Sequence, residues 1–273
     1  MKQGLARIVT ALAGIPLVLG AIWLGGVYFL VFVAIVGIAG QYEMLKLVRA
    51  TGPNVPFWPG LLAGAAVFLR FVHPDGWIMT LALICLLLAW SLRADVSDAV
   101  GRMGGQLASI IYPPLLLSLL VDLRWAAADW LGSVQGFYLT LMLFVLIWAT
   151  DTGAYYTGKS IGKTPFAPTI SPNKTWEGTL GGLAMAILVA LLFKLFLLPF
   201  LGWQDVMILA LIGGFWGQLG DLLESSLKRS AGVKDSGNFL PGHGGALDRF
   251  DSLIFSAPLY WIYLVHVSGI LPS

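Results

Sequence analysis

The chain has 273 residues, of which 58% are hydrophobic and only 11% are charged. Soluble domains typically carry about 25% charged residues, whereas the mean hydropathy here is +0.84. This composition excludes an ordinary soluble globular protein and indicates a membrane protein. The single cysteine, Cys85, excludes an intrachain disulfide and a thiolate metal cluster.

Long apolar runs recur along the whole chain, each close to the roughly 20 residues that a helix needs to cross a bilayer. Backbone polar groups must be satisfied internally in lipid, and the runs do not alternate as barrel strands would, so helices are predicted. The predicted fold is therefore all-α, a polytopic integral membrane protein with about nine transmembrane helices. The runs fall at about 8–25, 27–45, 57–72, 76–92, 104–121, 135–152, 179–200, 206–223 and 253–268.

The distribution of positive charge predicts the orientation. A cytoplasmic N-terminus places all 16 Lys and Arg residues on the cytoplasmic side except Arg70, Arg124 and Lys194. Cytoplasmic loops are enriched in Lys and Arg, so this topology is favoured over its inverse. We therefore expect a multi-pass protein of the cell (inner) membrane. Topology explains the positive excess, so the net charge of +2 says little about nucleic acid, and no nucleic-acid partner is expected.

The two halves of the chain differ in their polar segments. Residues 1–130, with spans one to five, are predicted to form an N-terminal transmembrane scaffold. Residues 131–273, with spans six to nine, are predicted to form the catalytic region. Its two long polar segments, 153–178 and 224–252, are predicted to be cytoplasmic loops.

Charge is concentrated between Gly220 and Ser252, in a stretch flanked by apolar sequence. Charges beside a bilayer are expensive unless they meet an ionic partner, so we expect this segment to bind one. Its four cations and five acids are Lys228, Arg229, Lys234, Arg249, Asp221, Glu224, Asp235, Asp248 and Asp251.

The spacing of the acids predicts a metal site. Asp221, Glu224 and Lys228 share one helix face, and Asp248 and Asp251 share a face of the next span. We expect Asp221 and Asp248 to converge on Mg²⁺, which prefers oxygen ligands, and a second metal ion is left open. For Glu224 and Asp251, compensation of a helix dipole or a surface ion pair explains the pattern equally well.

A glycine-rich turn lies between these acids, at Pro241-Gly242-His243-Gly244-Gly245. Glycines allow successive amides to form an anion-binding nest, and the following helix N-terminus adds its dipole. With the nearby cations, this turn is predicted to hold phosphate, with His243 as a donor.

A second polar segment contains Gly-Ala-Tyr-Tyr-Thr-Gly-Lys-Ser at 153–160, which satisfies the P-loop pattern. That pattern is meaningful only between a β-strand and a helix, whereas here it follows a membrane span. We therefore do not interpret it as an NTPase site. Downstream, Ser171 and Lys174 add a hydroxyl and a cation, and Thr175 is a candidate N-cap beside an interfacial Trp176.

The segment 225–252, SSLKRSAGVKDSGNFLPGHGGALDRFDS, resembles the signature of phosphatidate cytidylyltransferases (CDP-diacylglycerol synthases). Asp221 with its neighbours, the SPNKTWEG segment at 171–178, and Asp151-Thr152 with Ala154-Tyr155 are similar to that family as well. Ala246 departs from it, since the family usually has a larger aliphatic residue there. The match covers roughly 151–252, and the first 130 residues match only as a string of spans.

The resemblance implies an enzyme of phospholipid biosynthesis that transfers CMP from CTP to phosphatidate with Mg²⁺, giving CDP-diacylglycerol and pyrophosphate. Its expected partners are CTP, phosphatidate and the lipid bilayer, and a homodimer is left open. The active site is expected to face the cytoplasm. The implied catalytic residues are Asp221, Asp248, Lys228, Arg229 and His243, with Asp221 and Asp248 as metal ligands. The implied substrate-binding residues are Lys234, Asp235, Gly244, Gly245, Arg249, Ser171, Lys174 and Ser225.

Three other functions are consistent with parts of this pattern. A CTP-dependent lipid-alcohol (polyisoprenoid) kinase would share the nucleotide, but its hydroxyl nucleophile would benefit from a base. A secondary membrane transporter predicts inverted repeats and polar residues near mid-span, whereas the acids here cluster at one membrane face. A structural or assembly protein would leave the ionic cluster unexplained.

The P-loop pattern gives a first prediction. Lys159→Ala should cost less CTP-dependent turnover than Lys228→Ala or Arg229→Ala, because Lys159 lies outside the charged segment. ATP should not replace CTP in the same assay. Efficient ATP hydrolysis that disappears in Lys159→Ala would show that the P-loop interpretation was rejected in error.

Overall fold

The computed structural model describes residues 2–93, 98–239 and 244–272, and side chains from residue 12 onward. Helices dominate this part of the chain, as the apolar runs predict. They are α1 (Lys2–Leu24), α2 (Gly26–Ala50), α3 (Phe57–Ala66), α4 (Gly76–Trp90), α5 (Ala99–Ile110), α6 (Leu116–Leu131), α7 (Ser133–Ile161), α8 (Trp176–Phe196), α9 (Trp203–Leu211), α10 (Gly217–Ser230) and α11 (Leu247–Ile262).

Short π-helical and 3₁₀ turns extend several of these helices. A π-helical turn at Ile111–Leu115, which contains two prolines, joins α5 to α6, and a second at Ile212–Trp216 joins α9 to α10. A third, Tyr263–Val267, follows α11, and a 3₁₀ turn at Val67–Phe71 follows α3. Proline removes a backbone donor, and a π turn accommodates the resulting gap in the helical ladder.

Seven helices in the described residues are long and apolar enough to cross a membrane. Two shorter apolar helices, Leu12–Leu24 and Phe57–Phe71, coincide with the first and third predicted runs. The prediction of a mainly helical, multi-pass membrane protein is confirmed, and the count of about nine is approximate. The seven are Gly26–Ala50, Gly76–Arg93, Ala99–Leu131, Ser133–Ile161, Trp176–Phe196, Trp203–Ser230 and Leu247–Val267.

The helices extend further into the polar segments than the sequence predicts. α7 has 29 residues, which is about 43 Å of helix, longer than the ~30 Å hydrocarbon layer. Because α7 continues to Ile161, residues 153–161 are helical and not part of a loop. This helix confirms the prediction that the Gly-x4-Gly-Lys-Ser pattern is not a P-loop. The second predicted loop is likewise shorter, because α10 continues to Ser230 and α11 begins at Leu247.

One small sheet interrupts the helical fold. Strands β1 (Pro165–Ala167) and β2 (Ser171–Thr175) form an antiparallel hairpin just before α8. The Glu177 carboxylate accepts hydrogen bonds from the backbone N–H groups of Lys163 and Thr164, which fixes the turn before β1. The Thr175 hydroxyl accepts from the Gly178 amide, so the predicted N-cap is confirmed.

The chain forms two compact units that interleave along the sequence. The first unit contains Met1–Leu17, Val27–Ser118 and Leu227–Arg249. The second contains Val18–Gly26, Leu119–Ser226 and Phe250–Ser273. Both predicted halves therefore contribute residues to each unit. The assignment of scaffold and catalytic roles to residues 1–130 and 131–273 stays a prediction.

Close helix packing organises the second unit. A Cβ at Gly153 of α7 would lie 2.6 Å from Met185 Cγ and 2.9 Å from the Gly181 carbonyl oxygen of α8, so only glycine permits this approach. The buried Tyr260 hydroxyl donates to the Leu139 carbonyl, which ties α11 to α7. These contacts place the polar ends of the helices in fixed positions.

The length of α7 generates a test of topology. Ser133 and Ser160 are both exposed and lie near opposite ends of this helix. In a Cys85→Ala background, Ser133→Cys should react with an impermeant thiol reagent only from outside, and Ser160→Cys only from the cytoplasmic side. Labelling of both cysteines from the same side would show that α7 does not cross the membrane.

Candidate active site

Three carboxylates meet in the second unit. Asp221 and Glu224 lie one turn apart on α10, and Asp251 lies in the first turns of α11. One oxygen from each lies within 4.8 Å of the others. The Glu224 side chain is fully buried and Asp251 is 9% exposed, whereas Asp221 is half-buried. Negative charges at this separation repel strongly, so the cluster is suited to binding a cation.

A lysine from the hairpin faces this cluster. The Nζ of Lys174, on β2, lies 2.6 Å from Asp221 Oδ2. The Ser225 hydroxyl donates to Asp221 Oδ1 over 3.4 Å. The predicted residues Asp221, Lys174 and Ser225 are thus brought together.

A cavity of about 570 Å³ opens beside these residues in the second unit. Ligand pockets typically measure about 300–1,000 Å³, so its size suits a nucleotide or a phospholipid headgroup. Its cations, Lys159 and Lys174, and its acids, Asp151 and Asp221, make it suitable for an ionic ligand. The lining residues are Asp151, Ala154, Tyr155, Gly158, Lys159, Asn173, Lys174, Thr175, Gly178, Thr179, Gln218 and Asp221.

The carboxylate cluster fits the ligand preference of Mg²⁺. This ion takes oxygen ligands, typically one or two carboxylates together with substrate phosphates. Asp221, Glu224 and Asp251 offer three carboxylates within reach of one position. The Lys174 ammonium group next to Asp221 would add a further positive charge for a phosphate.

The first unit holds a separate charged cluster around Asp248, in the first turn of α11. The Lys228 ammonium group donates to Asp248 Oδ1 over 2.6 Å. The other oxygen, Oδ2, accepts from the Ser236 and Gly245 amides over 3.0 and 2.7 Å, and the Ser236 hydroxyl oxygen lies 3.0 Å from it. Asp248 therefore orders the loop that precedes it and holds Lys228 in place.

Local geometry explains two of the loop glycines. Gly244 has φ +88°, a left-handed conformation that other residues adopt at a cost. A Cβ at Gly245 would overlap the Ser236 hydroxyl and the Glu43 carboxylate. The Gly245 amide, which is predicted to bind phosphate, donates to Asp248 in this structure. Its phosphate contact stays a prediction.

The other predicted residues lie around the same loop, on the hairpin, or outside the described part of the chain. Arg229 is exposed, and its guanidinium donates to the Val233 carbonyl. Lys234, Asp235 and Arg249 are exposed, and their contacts with substrate stay a prediction. Ser171 is half-buried at the start of β2. His243 lies outside the described residues, and its role stays a prediction.

The structure groups the acids differently from the simplest sequence interpretation. Asp221 lies with Glu224 and Asp251 in the second unit, and Asp248 belongs to the first unit with Lys228. Sequence spacing left metal binding by Glu224 and Asp251 open. It gave no indication of Glu43, a buried acid on α2 that contacts the loop. That Asp221 and Asp248 bind one ion stays a prediction.

The fold and these charged clusters define a multi-pass membrane protein built to bind ionic ligands. The model of the Cytidylyltransferase family matches residues 5–267. Because this match covers nearly the whole chain, the chain belongs to the cytidylyltransferase family.

Individual relatives agree with the family match. A phosphatidate cytidylyltransferase of Bacillus subtilis (strain 168) is 35% identical over 271 residues, which is 97% of each chain. That of Staphylococcus saprophyticus is 32% identical over 269 residues, 96% of this chain and 99% of its own. That of Brucella suis biovar 1 is 35% identical over 260 residues, 94% and 92% respectively. The resemblance stated from the sequence is confirmed, and the chain is a nucleotidyltransferase.

The two carboxylate sites generate a prediction. Asp221→Asn, Asp251→Asn and Asp248→Asn keep side-chain size but remove charge, so each should lower turnover by at least about two orders of magnitude. The measurement is turnover against Mg²⁺ concentration. Asp205→Asn is the matched control, because Asp205 only caps α9 and accepts from Tyr263. Wild-type turnover in all three variants at limiting Mg²⁺ would rule out both sites.

Proposed function

We propose that the chain transfers CMP from CTP to phosphatidate, releasing pyrophosphate and forming CDP-diacylglycerol. The observation that carries this proposal is the second-unit cavity, where Lys174 and Asp221 lie side by side. The family match and the names of the relatives support a cytidylyl transfer to this lipid. No nucleic acid is required, and a homodimer stays a prediction.

The reaction depends on stabilisation of negative charge on the phosphates more than on a strong general base. A phosphate oxygen of phosphatidate attacks the α-phosphorus of CTP, and the bond from that phosphorus to the oxygen bridging to the β-phosphate breaks. The attacking phosphomonoester is already ionised near neutral pH, so no side chain has to remove a proton. The pyrophosphate leaves with additional negative charge, which fixed cations stabilise.

The described residues can meet these needs. We propose that Asp221, Glu224 and Asp251 hold Mg²⁺, which would neutralise charge on the phosphates and the leaving group. Lys174 would bind a phosphate beside this cluster, and Lys159 lines the same cavity. Lys228, held by Asp248, would contribute positive charge at the loop of the first unit.

The location of the reaction follows from topology. We propose that the chain lies in the cell (inner) membrane with its active site facing the cytoplasm, where CTP is available. The positive-inside distribution of Lys and Arg supports this orientation. Phosphatidate would arrive by lateral diffusion in the bilayer, so neither substrate has to cross the membrane.

A radiolabel experiment tests the proposal. Purified protein in liposomes containing phosphatidate should transfer label from α-labelled CTP to lipid, and γ-labelled CTP should give labelled pyrophosphate only. Asp221→Asn is the inactive reference. Transfer of only the γ-label to lipid would identify a lipid kinase instead. Absence of lipid labelling from either nucleotide would contradict the proposal.

A further inference from the structure

A buried acid on α2 contacts the described parts of the loop between α10 and α11. Glu43 is 3% exposed. Its carboxylate accepts from the Ser236 hydroxyl over 3.0 Å, the Ala246 amide over 3.0 Å and the Leu247 amide over 2.9 Å. All of these residues belong to the first unit. A buried carboxylate needs such donors, because an unpaired charge in this environment is costly.

The three donors come from two parts of the chain. Ser236 lies in the first half of the loop, whereas Ala246 is the last loop residue and Leu247 is the first residue of α11. The described loop residues on both sides also lie close to the carboxylate, since a Cβ at Gly237 or Gly245 would overlap Glu43. Glu43 therefore holds the segment around Ser236 and the start of α11 against α2.

Ser236 connects Glu43 to the functional cluster. Its hydroxyl lies 3.0 Å from Glu43 Oε2 and 3.0 Å from Asp248 Oδ2. Its amide also donates to Asp248, which in turn accepts from Lys228. A displacement of Ser236 or of the start of α11 would therefore move Asp248 and Lys228.

We infer that Glu43 is a positioning residue for the catalytic loop, acting through Ser236 and the start of α11 rather than on substrate. The inference rests on the proposed function for its effect on turnover, but not for its effect on loop order. Hydrogen bonds that orient active-site groups are worth about 10–100-fold in affinity or activity when removed. We expect a loss of that size.

The alternative is that Glu43 only stabilises helix packing. Gln41 offers a matched comparison, because it is also buried on α2 but, among the described residues, its side chain donates to the Gly60 carbonyl of α3. A general packing role would make Glu43 and Gln41 variants behave alike. A positioning role predicts that only Glu43 variants change the loop.

The first readout is loop order, measured without substrate. Asn238 is exposed in the loop, so Asn238→Cys in a Cys85→Ala background reports accessibility through its rate of reaction with a thiol reagent. Glu43→Gln replaces one acceptor oxygen by a donor that faces a backbone amide, and the labelling rate should rise several-fold. Gln41→Ala should leave the rate unchanged.

The second readout is turnover with CTP and phosphatidate. Glu43→Gln should lose about 10–100-fold, and Ser236→Ala, which leaves the two amide bonds of Glu43 intact, should lose less. The double variant should lose less than the product of the single losses, because both substitutions act through one network. If Glu43→Gln does not fold, Ser236→Ala carries the same labelling test.

The outcomes separate the inference from the proposed function. Unchanged labelling in both Glu43→Gln and Ser236→Ala would overturn the inference, whatever their activity. Faster labelling with wild-type turnover would also overturn it, because the loop order would not matter for the reaction. If the wild-type protein shows no cytidylyl transfer, only the proposed function is contradicted. The difference in labelling rate between wild type and Glu43→Gln would still test whether Glu43 orders the loop.

Discussion

Charged side chains at the ends of apolar helices need partners, and this constraint explains how the charged residues of the hairpin and of the loop before α11 are arranged. Two short ion pairs satisfy it, Lys174 with Asp221 in the second unit and Lys228 with Asp248 in the first, each at 2.6 Å. The pair of Lys228 with Asp248 is buried, and breaking a buried pair from one side leaves an uncompensated charge, which typically costs about 3–5 kcal/mol. The hairpin and the loop before α11 are therefore fixed by the charges they carry. The hairpin brings Lys174 to a defined position, and the loop before α11 does the same for Asp248.

The sequence was a good guide to the membrane helices and a poor guide to their ends. Hydropathy detects the apolar part of a helix, so α7 was predicted to stop near Asp151, although its helix continues to Ile161. Nothing requires a helix to end where the lipid ends, and the backbone outside the bilayer is satisfied equally well by another turn. The same reason explains why α10 continues to Ser230. The hairpin before α8 was not predicted, because its strands are only three and five residues long.

The candidate site was predictable where its residues are close in sequence and not where they are distant. Spacing placed Asp221, Glu224 and Ser225 on one face of α10, and the ion pair of Lys228 with Asp248 joins residues on either side of one loop. The Lys174 contact with Asp221 and the Glu43 contacts with the loop join segments far apart in the chain, and a single sequence carries no record of such pairs. Spacing gave no indication of Glu43, and the general rule that an acid inside a membrane-spanning helix is expensive and typically functional or paired would not have named the loop as its partner.

The acids of the two charged clusters and their neighbours make two kinds of contact. Asp221 and Asp248 face lysines, and Asp248 also accepts from two backbone amides, whereas Glu43 and Glu177 bind backbone amides. Glu43 and Glu177 contact no cation in these hydrogen bonds, yet each fixes a segment that carries Asp248 or the lysine partner of Asp221. Glu177 orders the turn before the hairpin of Lys174, and Glu43 orders the loop before Asp248. A reaction between two polyanions gains most from charges that are already in place, because reorienting them during the reaction would consume the stabilisation they provide. The amide-binding acids supply that fixed arrangement.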